Sequence, residues 1–199
     1  SGGDLKNTNS KGTIYLYNSI LAKDPDDPKT TEPSCDGDKI MTFGFTLIED
    51  DTNCTVATPQ GPYLTGNPKL GSLSDNGGAT MTFALLEGSA AIDAGPAYGC
   101  MFGTPGDNII TDQRGDEFTR HADGNYDGIE RCDLGAFEVQ CGDGVTSGYE
   151  DCDDGNNLNT DSCLNTCEEA LCGDGYLREG VETCDDGDDN SDTEADACR

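Results

Sequence analysis

The feature that most constrains this fold is a repeat built from cysteines, glycines and carboxylates. Cys141-Gly142-Asp143-Gly144 recurs as Cys172-Gly173-Asp174-Gly175, 31 residues later. Glu150-Asp151-Cys152-Asp153-Asp154-Gly155-Asn156 recurs as Glu182-Thr183-Cys184-Asp185-Asp186-Gly187-Asp188. The first unit carries Cys141, Cys152, Cys163 and Cys167; the second carries Cys172, Cys184 and Cys198. Residues 141–199 hold 18 acidic and 2 basic side chains, a net charge of −16. Charge of that density with so few apolar residues disorders a chain unless it is cross-linked. Four cysteines in the first unit allow three pairings, and spacing does not choose among them. The second unit lacks a fourth cysteine, so the odd total is expected to reflect an end inside a repeat rather than a reactive thiol.

The whole chain carries eleven cysteines, one histidine and no tryptophan. Cysteines scattered among Gly, Asp and Asn read as a disulfide framework of an oxidising compartment, which predicts an extracellular or bacterial cell-surface protein. With 40 acidic and 11 basic residues the formal charge is −29. Nucleic acid needs a basic footprint, so it is excluded as a partner, and anionic membrane surfaces are disfavoured. The self-repulsion calls for cations, and a divalent one, Ca2+, is the first expected partner. No run of about 18 apolar residues is present, so no membrane span is predicted in this segment. No signal peptide precedes Ser1-Gly2-Gly3-Asp4, and the chain reads as a fragment with further sequence upstream of residue 1.

The first 140 residues are different in kind, with 22 acidic and 9 basic residues. Thr13 to Leu21 is a β-branched and aromatic strand pattern, and a second apolar run spans Ile40 to Ile48. Shorter runs follow at Tyr63-Leu64, Leu70 and Met81–Leu86, separated by Pro and Gly. None is long enough for an amphipathic helix, so the body is expected to be all-β.

Calcium takes six to eight hard oxygens from flexible loops. The tail offers Asp143, Asp151, Asp153, Asp154, Asn156, Asn159 and Asp161 in the first unit, and Asp174, Asp185 and Asp186 in the second. The plain alternative is a solvated acidic loop. A second candidate is Asp123-Gly124-Asn125-Tyr126-Asp127-Gly128. It places oxygens at positions 1, 3 and 5 and glycine at 6, as in the loop of a helix-loop-helix calcium site. Position 12 is Leu134, not Glu, and Asp133 is the expected late carboxylate; the plain alternative is an Asp-Gly turn. Zinc is a rival for Cys163, Cys167 and Cys172, but no C-x-x-C pair occurs and the acidic oxygens would be idle. His121 has no nucleophile motif beside it and reads as a surface loop residue. Asp112-Gln113-Arg114-Gly115 reads as a braced turn.

Ser74-Asp75-Asn76-Gly77-Gly78 through Ala90-Ala91-Ile92-Asp93-Ala94-Gly95, then Asp112-Gln113-Arg114-Gly115, then Arg131-Cys132-Asp133-Leu134-Gly135-Ala136-Phe137-Glu138, resemble the closing segment of bacterial right-handed parallel β-helix surface proteins. These are the polymorphic-outer-membrane-protein-like and choice-of-anchor secreted proteins. The resemblance implies terminal β-helix coils over 1–73, a loop-rich cap over 74–140, and bridges Cys35–Cys54 and Cys100–Cys132. The tail resembles the acidic cysteine-rich repeats of myxobacterial-type secreted proteins, one over 141–171 and an incomplete one over 172–199.

The expected fold is therefore all-β: terminal coils of a right-handed parallel β-helix with a loop-rich cap, then small disulfide-rich calcium-binding repeats. The expected function is structural or adhesive at the cell surface, with other copies of the chain, surface proteins or polysaccharide as partners and a filament as one form of assembly. The alternatives are a fragment of a β-helix polysaccharide lyase or hydrolase, and a carbohydrate-binding module. No catalytic residue is identified.

Overall fold

A computed structural model describes residues 5–7, 12–27, 33–58, 62–96, 100–101 and 108–190. Among them are eleven strands and no α-helix: β1 (Leu5–Asn7), β2 (Ile14–Leu16), β3 (Ser19–Leu21), β4 (Cys35–Thr42), β5 (Thr46–Ile48), β6 (Asn53–Ala57), β7 (Leu64–Thr65), β8 (Leu70–Ser74), β9 (Thr82–Leu85), β10 (Cys100–Met101) and β11 (Asn108–Ile109). The chain divides into two compact units: residues 1–140 with 147–149, and residues 141–146 with 150–199.

Unit 1 begins with two parallel sheets. In the first, β4 pairs in parallel with both β1 and β2, end to end, and with β6 on its other side. In the second, β3, β5 and β7 stack in parallel in that order. The second sheet thus takes one strand from each of three successive passes of the chain, whereas the first has four strands, with β1 and β2 both on one side of β4. The run expected as one strand from Thr13 to Leu21 is two, because Asn18 has a left-handed φ of 44° and turns the chain from the first sheet to the second. The run from Ile40 to Ile48 breaks the same way, at Gly44 (φ 76°) and Phe45 (φ 47°). Cys35, Ile40 and Ile48 are buried, with Leu5, Leu16, Leu21, Val56 and Tyr63 packed on them. The Cys35–Cys54 disulfide ties β4 to β6.

The described residues between 74 and 140 form little regular structure. β8 pairs antiparallel with β9, and β10 with β11, and Cys100 is bridged to Cys132. The core here is polar as well as apolar. The Arg114 guanidinium sits between Phe118 and Phe137, 4.1 and 3.9 Å from the ring centroids. It also pairs with Asp112, both side chains being fully buried, and donates to the Glu138 carbonyl at 2.7 Å. A Cβ on Gly78, whose φ is +78°, would lie 2.3 Å from the Arg114 carbonyl oxygen, so the Asn76-Gly77-Gly78 turn can seat against this arginine only as glycine. Arg120 donates to the carbonyls of Asp133 and Gly135 and faces Glu138. The Glu138 carboxylate in turn accepts the N–H groups of His121, Ala122 and Asp133. The Asp112-Gln113-Arg114-Gly115 and Arg131–Glu138 blocks are the two halves of this network, and it supplies the order that a sheet would otherwise give.

Candidate calcium sites

In unit 2 two disulfides are nested: Cys152–Cys163 lies within the loop closed by Cys141–Cys167. Cys184 is also disulfide-bonded, Cys172 is free and exposed, and Cys198 lies outside the described residues.

Asp153 is the centre of the first repeat. Its Oδ2 accepts the N–H groups of Gly142 (2.9 Å) and Asp143 (3.1 Å), and its Oδ1 those of Gly144 (2.9 Å) and Gly155 (2.8 Å). Asp185 repeats the design. It accepts the N–H groups of Gly173 (2.7 Å), Gly175 (3.2 Å) and Gly187 (2.6 Å), and the Asn190 side-chain amide (3.3 Å). These donors, Gly187 foremost, hold the Asp185 carboxyl below the usual carboxylate range. The repeated motif therefore has a physical meaning: Cys-Gly-Asp-Gly wraps its N–H groups around the first aspartate of Cys-Asp-Asp-Gly or Cys-Asp-Asp-Gly-Asn. The wrap brings the backbones of Gly144 and Gly155 together, so that a Cβ on Gly144 would lie 3.7 Å from the Gly155 Cα.

Asp153 and Asp185, both expected as calcium ligands, are thus loop organisers. A carboxylate ringed by four donors has its lone pairs turned toward N–H groups and not toward a cation. Asp143, Asn159 and Asp174 close turns, accepting the N–H groups of Val145, Asn165 and Tyr176 respectively. Asp151 and Asp186 are exposed. What does converge is Asp154, Asn156 and Asp161: the Asn156 amide donates to both carboxylates at 2.9 Å. Desolvation and the neighbouring Asp161 raise the Asp154 carboxyl, while the Asn156 amide lowers that of Asp161.

Among the described residues, the trio of His, Cys, Asp or Glu whose ligand atoms fall within 4.8 Å of one another is Glu150, Asp153 and Cys167. It is no metal site, since the Cys167 sulfur is in a disulfide and Asp153 is fully engaged. The same oxidation removes Cys163 and Cys167 as zinc thiolates.

In unit 1 the Asp123–Gly128 loop is folded on its own side chains. Asp123 accepts the N–H groups of Asp127 (3.0 Å) and Gly128 (2.7 Å), Asn125 that of Asp127 (2.9 Å), and Asp127 that of Ile129 (2.9 Å). Asp133, expected as the late carboxylate, is buried and spent elsewhere. Its oxygens accept the N–H groups of Asp93 and Val139, each at 2.7 Å. The acid that meets the loop is Asp93, whose Oδ2 accepts the Asn125 N–H at 2.9 Å. Burial first, then the charges of Asp123 and Asp127, push its carboxyl up to about 6. The sequence does hold a signal for Asp93: an acid inside the apolar run Ala90–Gly95 must be buried against a partner.

The chain is thus all-β and disulfide-rich, a combination that belongs to an oxidising compartment. Residues 130–168 match a family described as a domain of unknown function (DUF4215). The chain is also 55% identical, over 47 residues, to the acetylcholinesterase collagenic tail peptide of Torpedo marmorata. That match covers 23% of this chain and 10% of the relative. No solved structure matches the chain.

Proposed function

We propose that this chain is a structural or adhesive segment of an extracellular, cell-surface protein, held in shape by disulfides and calcium. In this reading the parallel passes of unit 1 are the terminal coils of a right-handed parallel β-helix. Residues 74–140 cap the last open strand edges, which would otherwise template aggregation. Residues 141–171 and 172–199 are cysteine-rich repeats. Copies stack through uncapped edges into a surface filament.

One observation carries the reading: the charged residues of the motif blocks are bonded to the chain's own backbone or to one another. Arg114 and Arg120 hold carbonyls, and Glu138, Asp153 and Asp185 hold N–H groups. Side chains locked in this way brace loops rather than meet a substrate. The match to a tail peptide fits a non-catalytic segment. In unit 2 calcium takes the Asp154, Asn156 and Asp161 cluster, where it offsets two carboxylates drawn onto one amide.

Calcium titration under non-reducing conditions, followed by thermal melting, tests this reading. Melting temperature rises with calcium and falls back with chelator, and uronate-containing polysaccharides are not shortened. Depolymerisation of such a polysaccharide would replace the structural reading with the lyase or hydrolase one. A carbohydrate-binding role has one observation in its favour. Tyr15, Tyr17 and Phe43 form an aromatic row, with Tyr17 stacked on Phe43 at 4.7 Å and Tyr15 56% exposed. Glycan titration of tyrosine fluorescence, lost in Tyr15→Ala, would support it.

A further inference from the structure

The Asp93 carboxylate is unusual within unit 1. The residue is 6% exposed, and its Oδ1 is buried with no hydrogen-bond partner. Its other oxygen accepts the Asn125 N–H, and the Gly124 N–H also acts on the carboxylate, so it lies against the Asp123–Gly128 loop. Its own N–H is held by Asp133. A buried carboxylate oxygen without a donor costs free energy, and here it also faces the charges of two further carboxylates, Asp123 and Asp127. The nearest basic group the loop meets is Arg131, whose Nη1 is 3.7 Å from Asp127 Oδ2, on partly exposed side chains. Among the described residues no basic side chain pairs with Asp93, which meets backbone N–H groups only.

We propose that Asp93 completes a calcium site with the Asp123–Gly128 loop, taking the place of the glutamate that such loops carry at position 12. The loop supplies the side chains of Asp123, Asn125 and Asp127 and, at its seventh position, the Ile129 carbonyl. These are the hard oxygens calcium selects, with Gly128 at the sharp turn. Asp93 adds the late carboxylate from a segment 30 residues upstream of Asp123. Leu134, which holds position 12 of the loop, is fully buried and apolar, and the two oxygens of Asp133 beside it accept the N–H groups of Asp93 and Val139 rather than those of the loop. The carboxylates of Asp93, Asp123 and Asp127 do not all lie within 4.8 Å of one another. Asp127, Gly128 and Ile129 are exposed, so the loop is open to an ion from solvent. Calcium here pins the 123–131 loop to the Ala90–Gly95 segment and so locks the cap.

The inference deepens the calcium part of the proposed function, and its test separates the two. Terbium, which takes calcium sites, is titrated into the full oxidised chain. Luminescence is excited through tyrosine, Tyr126 lying within the loop itself. Wild type gives luminescence that calcium displaces. Asp93→Asn, which keeps the shape and the bond to Asn125, weakens binding about tenfold or more, through the loss of one charged ligand. Asp127→Asn at an exposed position does the same, and Tyr126→Phe dims the signal at unchanged affinity. Circular dichroism in chelator shows both Asn variants folded. Unchanged affinity in Asp93→Asn overturns the inference. Calcium binding lost in Asp154→Asn and Asp161→Asn but kept in Asp93→Asn also overturns it, while leaving the calcium reading of the repeats intact. Absence of calcium and terbium binding in wild type sinks both.

Discussion

Unit 1 buries Phe137, Ile40, Leu47, Leu85 and Leu134; among the described residues of unit 2 the buried apolar side chains are Cys163, Leu164, Cys167 and Ala170. Unit 1 can therefore enclose whole ion pairs, Asp112 with Arg114 and Glu138 with Arg120, beneath aromatic and aliphatic side chains. Unit 2 has no such cover. It replaces a core with nested disulfides and places one partly exposed carboxylate at the middle of each loop, where backbone N–H groups converge on it. The comparison teaches that a strongly acidic chain can be ordered in two ways. Charge can be neutralised by opposite charge in a core, or turned inward as a hydrogen-bond acceptor that organises a covalently closed loop.

The sharpest way to break this comparison is Arg114→Ala. The change strands the Asp112 carboxylate in a fully buried position and empties the space between two rings. It should cost unit 1 about 3–5 kcal/mol, read by urea unfolding, while the amide resonances of unit 2 stay in place. Joint collapse of both units would show that the division is not energetic. Next in size is the pair Cys152→Ala with Cys163→Ala. Removing this bridge should cost unit 2 about 2–4 kcal/mol, with the melting of unit 1 unmoved. Asp153→Asn keeps the shape but weakens the acceptor of four N–H bonds. It should cost about 1–3 kcal/mol, visible as loss of amide protection at Gly142, Gly144 and Gly155, with Asp185→Asn doing the same for the second repeat.

The smallest effect is in pH. In chelator, unit 1 holds Asp93 at about 6 and Asp133 and Glu138 above their ordinary values, chiefly through burial. Across this window the folded unit binds more protons than the unfolded chain, so its stability rises as pH falls from neutral toward 5. Asp93→Asn should flatten that slope. Asp185 in unit 2 has the opposite sign. Its carboxyl is depressed, so its contribution is present above the unfolded value and is lost as pH falls through the folded one. Melting curves across pH of wild type against Asp93→Asn and against Asp185→Asn isolate the two contributions: the first difference grows from neutral toward 5, the second shrinks in acid below the ordinary carboxylate range, and differences that run the same way with pH would contradict the comparison.

How far the sequence carried this picture differs between the two regions. The strand-rich body, the composition break at Gln140 and the cysteine repeat are plain in the residues, because β-branched runs, charge density and fixed spacing are local signals. The pairings Cys35–Cys54 and Cys100–Cys132, implied by resemblance, are those of the structure. The pairing in the first repeat was open until the fold nested one bridge inside the other. Acidic residues were the least legible. Asp153 and Asp154 are neighbours of one type, yet one gathers N–H groups while the other meets Asp161. Which oxygen faces a donor depends on where Gly142–Gly144 fold back, a long-range fact that spacing does not encode. Asp133 and Asp93 trade places for the same reason: both lie in apolar runs, and only the packing of one segment on the other decides which is fully engaged.

The most direct test of the account is the behaviour of the seven amide protons of Gly142, Asp143, Gly144, Gly155, Gly173, Gly175 and Gly187, followed by NMR with and without calcium. If Asp153 and Asp185 organise the loops, these protons are protected from exchange, shifted downfield, and unmoved when calcium is added. Fast exchange, or large shifts at these amides on calcium binding, would show that the two carboxylates turn to the cation instead, and would contradict the account.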